Sequence, residues 1–135
     1  MTMPKVAIID KYKTNIRYSS FFDFDFDNLH LSDTRKDKIL KKDITLDLTL
    51  VDNYDFVILV GAEAAKFCAK ITGITTTQGY LLEEKFLPLT NPAMAKIKPE
   101  SLPAFEKAVE NINAYVAGDH KGVVAAETHF IQDSG

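Results

Sequence analysis

Short, fully apolar runs and one long periodic stretch divide this chain. Phe56 to Val60 is an unbroken apolar run that stops at Gly61, and an alanine-rich pattern follows at once. Such a run, bounded by a polar lead-in and a glycine, predicts a strand buried on both faces. The pattern after it predicts a helix over Ala62–Ile71. Lys5 to Asp10 and Phe86 to Leu89 have the same character and predict two further core strands. Leu102, Phe105, Val109, Ile112 and Val116 recur at intervals of three and four, one stripe of an amphipathic helix. Ser101 stands at its N-cap, Pro103 in its first turn and Gly118 just past its end.

The segments between carry weaker signals. Phe22 to Phe26 alternates phenylalanine with aspartate, which predicts a half-exposed edge strand, and 28–31 either continues it or begins another. Thr34 to Lys42 reads as a short basic helix or a charged turn. Ile44, Leu46, Leu48 and Leu50 alternate with Thr45, Asp47, Thr49 and Val51 and predict an extended segment. Residues 72–79 read as a turn-rich linker, and Tyr80–Glu84 with Phe86–Leu89 as a hairpin or one bent strand. Pro92 to Pro99 reads as a loop. This order predicts an α/β fold, a three-layer α/β/α sandwich around a small, mainly parallel sheet. Lys5–Ile9, Phe56–Val60 and Phe86–Leu89 should lie side by side in it. Residues 1–118 form this domain, and 119–135 read as a final strand or a tail leading to a following segment.

At 135 residues the chain can bury a self-sufficient core. A net charge of -3 excludes a wholly basic nucleic-acid binder but not a local basic patch. No run approaches the length of a membrane span, and the start lacks a signal-peptide core, so no membrane partner is expected. The single cysteine, Cys68, excludes an intrachain disulfide and points to a cytoplasmic compartment. It sits on the apolar stripe of the first helix and reads as a packing residue.

Candidate chemistry is sparse. GAEAAK lacks the glycines of a dinucleotide fingerprint and the Gly-Lys-Ser/Thr of a P-loop, so no nucleotide cofactor is expected. His30, His120 and His129 are scattered without ligand spacing, and no metal is expected. Asp23, Asp25 and Asp27 at period two put carboxylates on one strand face, as a metal or general-base site would. A solvated edge that discourages strand pairing explains them more simply. The basic residues offer more. Lys11, Lys13 and Arg17 follow the first strand, and Lys96 and Lys98 follow Asn91-Pro92. On neighbouring strand ends, those cations would share a rim suited to phosphates.

A strand near the N-terminus, Val-Gly-Ala-Glu-Ala at a strand-to-helix junction and a strand ending in X-Pro before a last helix resemble the uracil-DNA glycosylase superfamily. More closely, KVAIIDKYKTNIRY, LKKDIT, YDFVILVGAEA, NPAMAKIKPE and FEKAVENI resemble the N-terminal region of certain phage family-A DNA polymerases. These carry a glycosylase-like domain ahead of their exonuclease and polymerase domains. The resemblance covers about residues 4–118 and rests on no single diagnostic motif.

Two departures from the glycosylase pattern bear on activity. Active members commonly have a polar, water-orienting motif after the first strand, where this chain offers Asp10 and Asn15. They also carry His-Pro-Ser after the last strand, where this chain has Asn91-Pro92-Ala93. An amide donates a hydrogen bond but supplies no positive charge to a departing base, and such electrostatic terms often dominate catalysis. The C-terminal VVAAETHF weakly resembles the first exonuclease motif of such polymerases, with Ala125 where an aspartate would precede Glu127. The resemblance therefore implies a retained fold with lost chemistry. The module would bind DNA without strong sequence preference through Lys11, Lys13, Asn15, Arg17, Asn91, Lys96 and Lys98, or bind a replisome protein. The alternative is a small monofunctional uracil-DNA glycosylase.

Overall fold

A computed structural model describes residues 4–118. The expected final strand or tail, with its weak exonuclease-like motif, lies outside the described residues. Four parallel strands form one sheet in the order β2-β1-β3-β4. They are β1 (Val6–Asp10), β2 (Asp27–His30), β3 (Phe56–Val60) and β4 (Phe86–Leu89). The three strands expected to be adjacent are so, with Ile8 beside Ile58 and Ile58 beside Leu87. Among the described residues four α-helices accompany them: α1 (Ala62–Ala69), the single turn α2 (Ile74–Thr77), α3 (Pro92–Ile97) and α4 (Leu102–Ala117).

Strand alternation divides the core into two layers. Val6, Ile8, Ile58, Val60, Leu87 and Leu89 meet Phe105, Ala108, Ile112, Tyr115 and Val116 of α4 on one face. Ile9, Val57, Leu59 and Phe86 meet Ala64 and Ala65 of α1 on the other. Covering both faces is what lets these strands be apolar throughout. Pro88 lacks a ladder N–H and is tolerated because β4 is an edge strand. Its carbonyl accepts from Gly79 N at 2.9 Å. Gly79 has φ +82°, and a Cβ there would lie 2.8 Å from Ala108 Cα, so this glycine lets α4 approach the edge of the sheet.

Several local expectations are corrected. Phe22–Phe26 is not a strand, and the edge strand is Asp27–His30. In its register Ala7 lies beside Asp27, so continuing the ladder backward would bring the segment to Pro4, which has no N–H to give. The alternation survives without the ladder: Phe22, Phe24 and Phe26 turn inward and Asp23, Asp25 and Asp27 stay exposed. Leu48–Asn53 forms 3-10 turns rather than an extended segment. Asp47 Oδ1 accepts from Thr49 N at 3.0 Å and from its hydroxyl at 2.6 Å, a local alternative to a sheet ladder. Pro92 to Pro99 begins as helix α3. Asn91 caps it, accepting from Ala93 N at 2.9 Å, and Pro92 takes the first helical position.

Leu102 is 41% exposed, and the buried stripe of α4 runs instead through Phe105, Ala108, Ile112, Tyr115 and Val116. Ser101 ends a 3-10 turn that runs into α4, so its hydroxyl donates back to Lys98 O at 2.7 Å rather than capping. The hairpin or bent strand expected over Tyr80–Leu89 reduces to β4 and one antiparallel bridge between Leu82 and Phe86. Glu83 and Glu84, both at positive φ, make its turn.

Candidate nucleic-acid interface

Ligands of open parallel sheets bind beyond the carboxyl ends of the strands, where successive connections leave on opposite faces. Here that switch point lies between β1 and β3. The loop after β1 packs Tyr18 and Phe22 against the α4 side, while β3 leads into α1 on the other. An ion pair spans the junction, Lys11 Nζ to Glu63 at 3.3 Å, and Lys11 Nζ also donates to Asp37 O. Lys11 is therefore held across the switch point.

One open concavity at this end lies on the α4 side. There the loop after β1 meets α3 around a cleft of about 410 Å³. Asn15, Arg17, Phe21, Pro92, Ala93 and Lys96 line it. Two chain segments about 75 residues apart, both following carboxyl ends of core strands, thus converge on it. Phe21 is locked by an edge contact to Phe105 of α4, ring centroids 5.5 Å apart. Asn113 of α4 donates to Phe21 O at 2.9 Å and accepts from Asp23 N at 3.0 Å, tying the loop to the helix. Among the described residues, neither Arg17 nor Lys96 has an ion pair.

Of the residues singled out from sequence, Asn15, Arg17 and Lys96 share this cleft. Lys13 and Lys98 are exposed, each two positions from a lining residue, without lining it. Asn91 spends its amide oxygen on the cap of α3. Asp23, Asp25 and Asp27 are exposed, and no metal-binding cluster occurs among the described residues. A larger depression of about 830 Å³ opens at the amino end of the sheet among Lys5, Asp25, Phe26, Asp27 and Asp55. Its carboxylates repel phosphates, and it lies at the end of the sheet remote from the strand exits.

Sequence reasoning named Asp10 but missed the partners that bury it, Tyr18 and His30. Asp10 closes β1 and is only 4% exposed. Tyr18 donates to its Oδ2 at 2.9 Å, and His30 Nδ1 pairs with its Oδ1. Burial, then the neighbouring Asp10 charge, pushes the Tyr18 phenol well above its ordinary range. Asp10 and His30 are register partners on β1 and β2, a pairing invisible until the sheet is assembled. Phe21, likewise unforeseen, stands four positions after Arg17. Cys68 is half-buried with its thiol pushed up to about 12 by burial, as suits a packing residue.

No helix among the described residues is long and apolar enough to cross a membrane. No known protein family's sequence profile matches the chain. The chain is similar to the DNA polymerase of Escherichia phage T5, with 33% identity over 141 residues that take in 96% of this chain and 16% of that polymerase. It is thus a homologue of one segment of a phage DNA polymerase, a small part of that protein's length.

Proposed function

We propose that this chain is a non-catalytic, replication-associated module, part of or derived from a phage DNA polymerase, that holds the DNA backbone in the cleft between the β1 exit loop and α3. The observation that carries this reading is the convergence of Arg17 and Lys96, both without carboxylate partners among the described residues, on one concavity. Phosphate contacts position a nucleic acid without reading its sequence. Lys13 and Lys98 extend the positive rim. Phe21 offers an apolar wall to a base or sugar.

The glycosylase alternative asks Asp10 to orient a water and Asn91 to stabilise a departing base. Asp10 has both oxygens engaged and is nearly inaccessible, which argues against that use. Asn91 brings no positive charge. A retained fold without the chemistry fits these residues better.

A salt series tests the proposal with labelled single- and double-stranded oligonucleotides of mixed sequence. Removing two phosphate contacts in Arg17→Ala/Lys96→Ala should flatten the log–log salt slope by about 1.4 on single strands and about 1.8 on duplex. Lys11→Ala should leave the slope unchanged, since Lys11 is held by Glu63. Equal binding of the double variant and the parent at every salt concentration would remove the cleft as a DNA site. Release of free uracil from a uracil-containing oligonucleotide would instead establish the glycosylase reading.

A further inference from the structure

A second basic concavity lies on the α1 side of the sheet, opposite the cleft. The segment Lys38–Lys41 runs beside the start of α1, and together they enclose about 400 Å³. Leu40, Ala62 and Phe67 supply an apolar lining, and Lys38, Lys41 and Lys66 supply charge. Glu63, the one acidic side chain in the lining, is already paired with Lys11 at 3.3 Å. None of the three lysines has an ion pair among the described residues, so the groove is strongly positive around an apolar floor.

This shape is built rather than frayed. Ile39 is buried to 2% exposure while its neighbour Leu40 is 42% exposed. Asp43 fixes the 3-10 turn Lys41–Asp43 that follows Leu40, accepting from Leu40 N at 2.9 Å and from Lys36 Nζ at 2.9 Å. Ser32 adds a hydroxyl bond to Asp43 O at 2.6 Å. The backbone therefore leaves Leu40 partly in water at the groove, where a partner can cover the remaining apolar surface.

We infer that this groove docks an acidic segment of a partner protein. One large apolar side chain of the partner sits against Leu40 and Phe67, and its carboxylates meet Lys38, Lys41 and Lys66. Charge complementarity selects an anionic partner, and the lining selects a peptide over a nucleic acid. Strands of nucleic acid hold to such surfaces by stacking bases on open aromatic faces. Phe67 is the groove's one aromatic ring, and Lys66 Nζ already sits 5.6 Å from its centroid. An apolar floor of Leu40, Ala62 and Phe67 gains instead from desolvating an apolar side chain, the usual anchor of a protein interface. The groove and the DNA cleft lie on opposite faces, so this inference stands whether or not the cleft binds DNA.

The probe is a fluorescein-labelled synthetic peptide of glutamate pairs interrupted by single leucine or phenylalanine residues, followed by anisotropy at low salt. It should bind the full chain, and Lys41→Ala/Lys66→Ala and Leu40→Ser should each weaken it about tenfold or more. Both variants change exposed side chains, and their far-UV spectra should match the parent. Arg17→Ala/Lys96→Ala should bind the peptide as the parent does. Absence of binding up to about a millimolar would overturn the inference. So would equal binding of a peptide with serine in place of every leucine and phenylalanine. Tighter binding of a single-stranded oligonucleotide, lost in the same groove variants, would reassign the groove to nucleic acid.

Discussion

Tyr18→Phe removes one oxygen and, with it, one of two donors to a buried carboxylate. Asp10 is 4% exposed and Tyr18 3%, so water cannot replace the lost hydroxyl without opening the loop. The Tyr18 hydroxyl bond is 2.9 Å long and its acceptor is a carboxylate, a class worth about 1.5–3 kcal/mol. Phenylalanine keeps the ring in the α4-side core, so packing changes little. With a urea slope of roughly 1–3 kcal/mol per molar, the unfolding midpoint should fall by about 1 M at neutral pH.

A pH series supplies the independent check. The Tyr18 phenol is raised in the folded state, first by burial and then by Asp10, so the folded protein keeps a proton that the unfolded chain releases near pH 10. Its contribution is fully present below about pH 10 and is lost as pH rises beyond it, by up to about 1.4 kcal/mol per unit. The phenylalanine variant has no such loss. The gap between parent and variant should therefore be constant from pH 7 to about 9 and shrink above about 10. A neutral-pH difference below about 0.5 kcal/mol, or a gap that does not shrink in alkali, would refute the account of Asp10 as held by Tyr18.

Gly79→Ala should cost about 2–4 kcal/mol in urea unfolding. It combines a side chain at φ +82° with a Cβ 2.8 Å from the Ala108 backbone, and a variant as stable as the parent would show that α4 shifts freely. Cys68, its thiol near 12, should react with a disulfide reagent at pH 8 roughly three orders of magnitude more slowly in the native protein than in urea. Asp43, held below the usual carboxylate range by the Leu40 N–H and then by Lys36, organises the turn that presents Leu40. Its contribution is present above the ordinary carboxylate range and is lost as pH falls through its lowered value. Asp43→Ala should speed amide exchange at Leu40 and weaken acidic-peptide binding even though Asp43 contributes no groove side chain. Unchanged exchange would separate the turn from the groove.

Where a residue's fate depended on its own neighbours in sequence, it was legible. Five consecutive apolar positions, Phe56–Val60, bounded by a polar lead-in and Gly61, are too short for a buried helix and suit a strand covered on both faces. The stripe Phe105, Val109, Ile112 and Val116 follows from the helical period in the same way. Asn91-Pro92 was a cap and first-turn signature in plain view, although the short helix after it read as a loop. The elements that defied their pattern did so for tertiary reasons. Phe22–Phe26 lost its ladder because the register with β1 places Asp27 beside Ala7. Leu102 stayed exposed because the sheet-facing stripe of α4 begins at Phe105.

The candidate site divides in the same way. That cations follow both strand ends was written in the sequence. That Arg17 and Lys96 face one cleft, while Lys11 turns across the switch point to Glu63, was decided only by which face each connection takes. The Asp10–Tyr18–His30 group and the groove around Leu40 needed the assembled sheet outright. A buried carboxylate finds its donors, and an exposed leucine its lysines, only when segments far apart in the chain are packed together. Hydrophobic periodicity determines which residues must be covered; strand order and crossover side determine which polar residues are left facing one another.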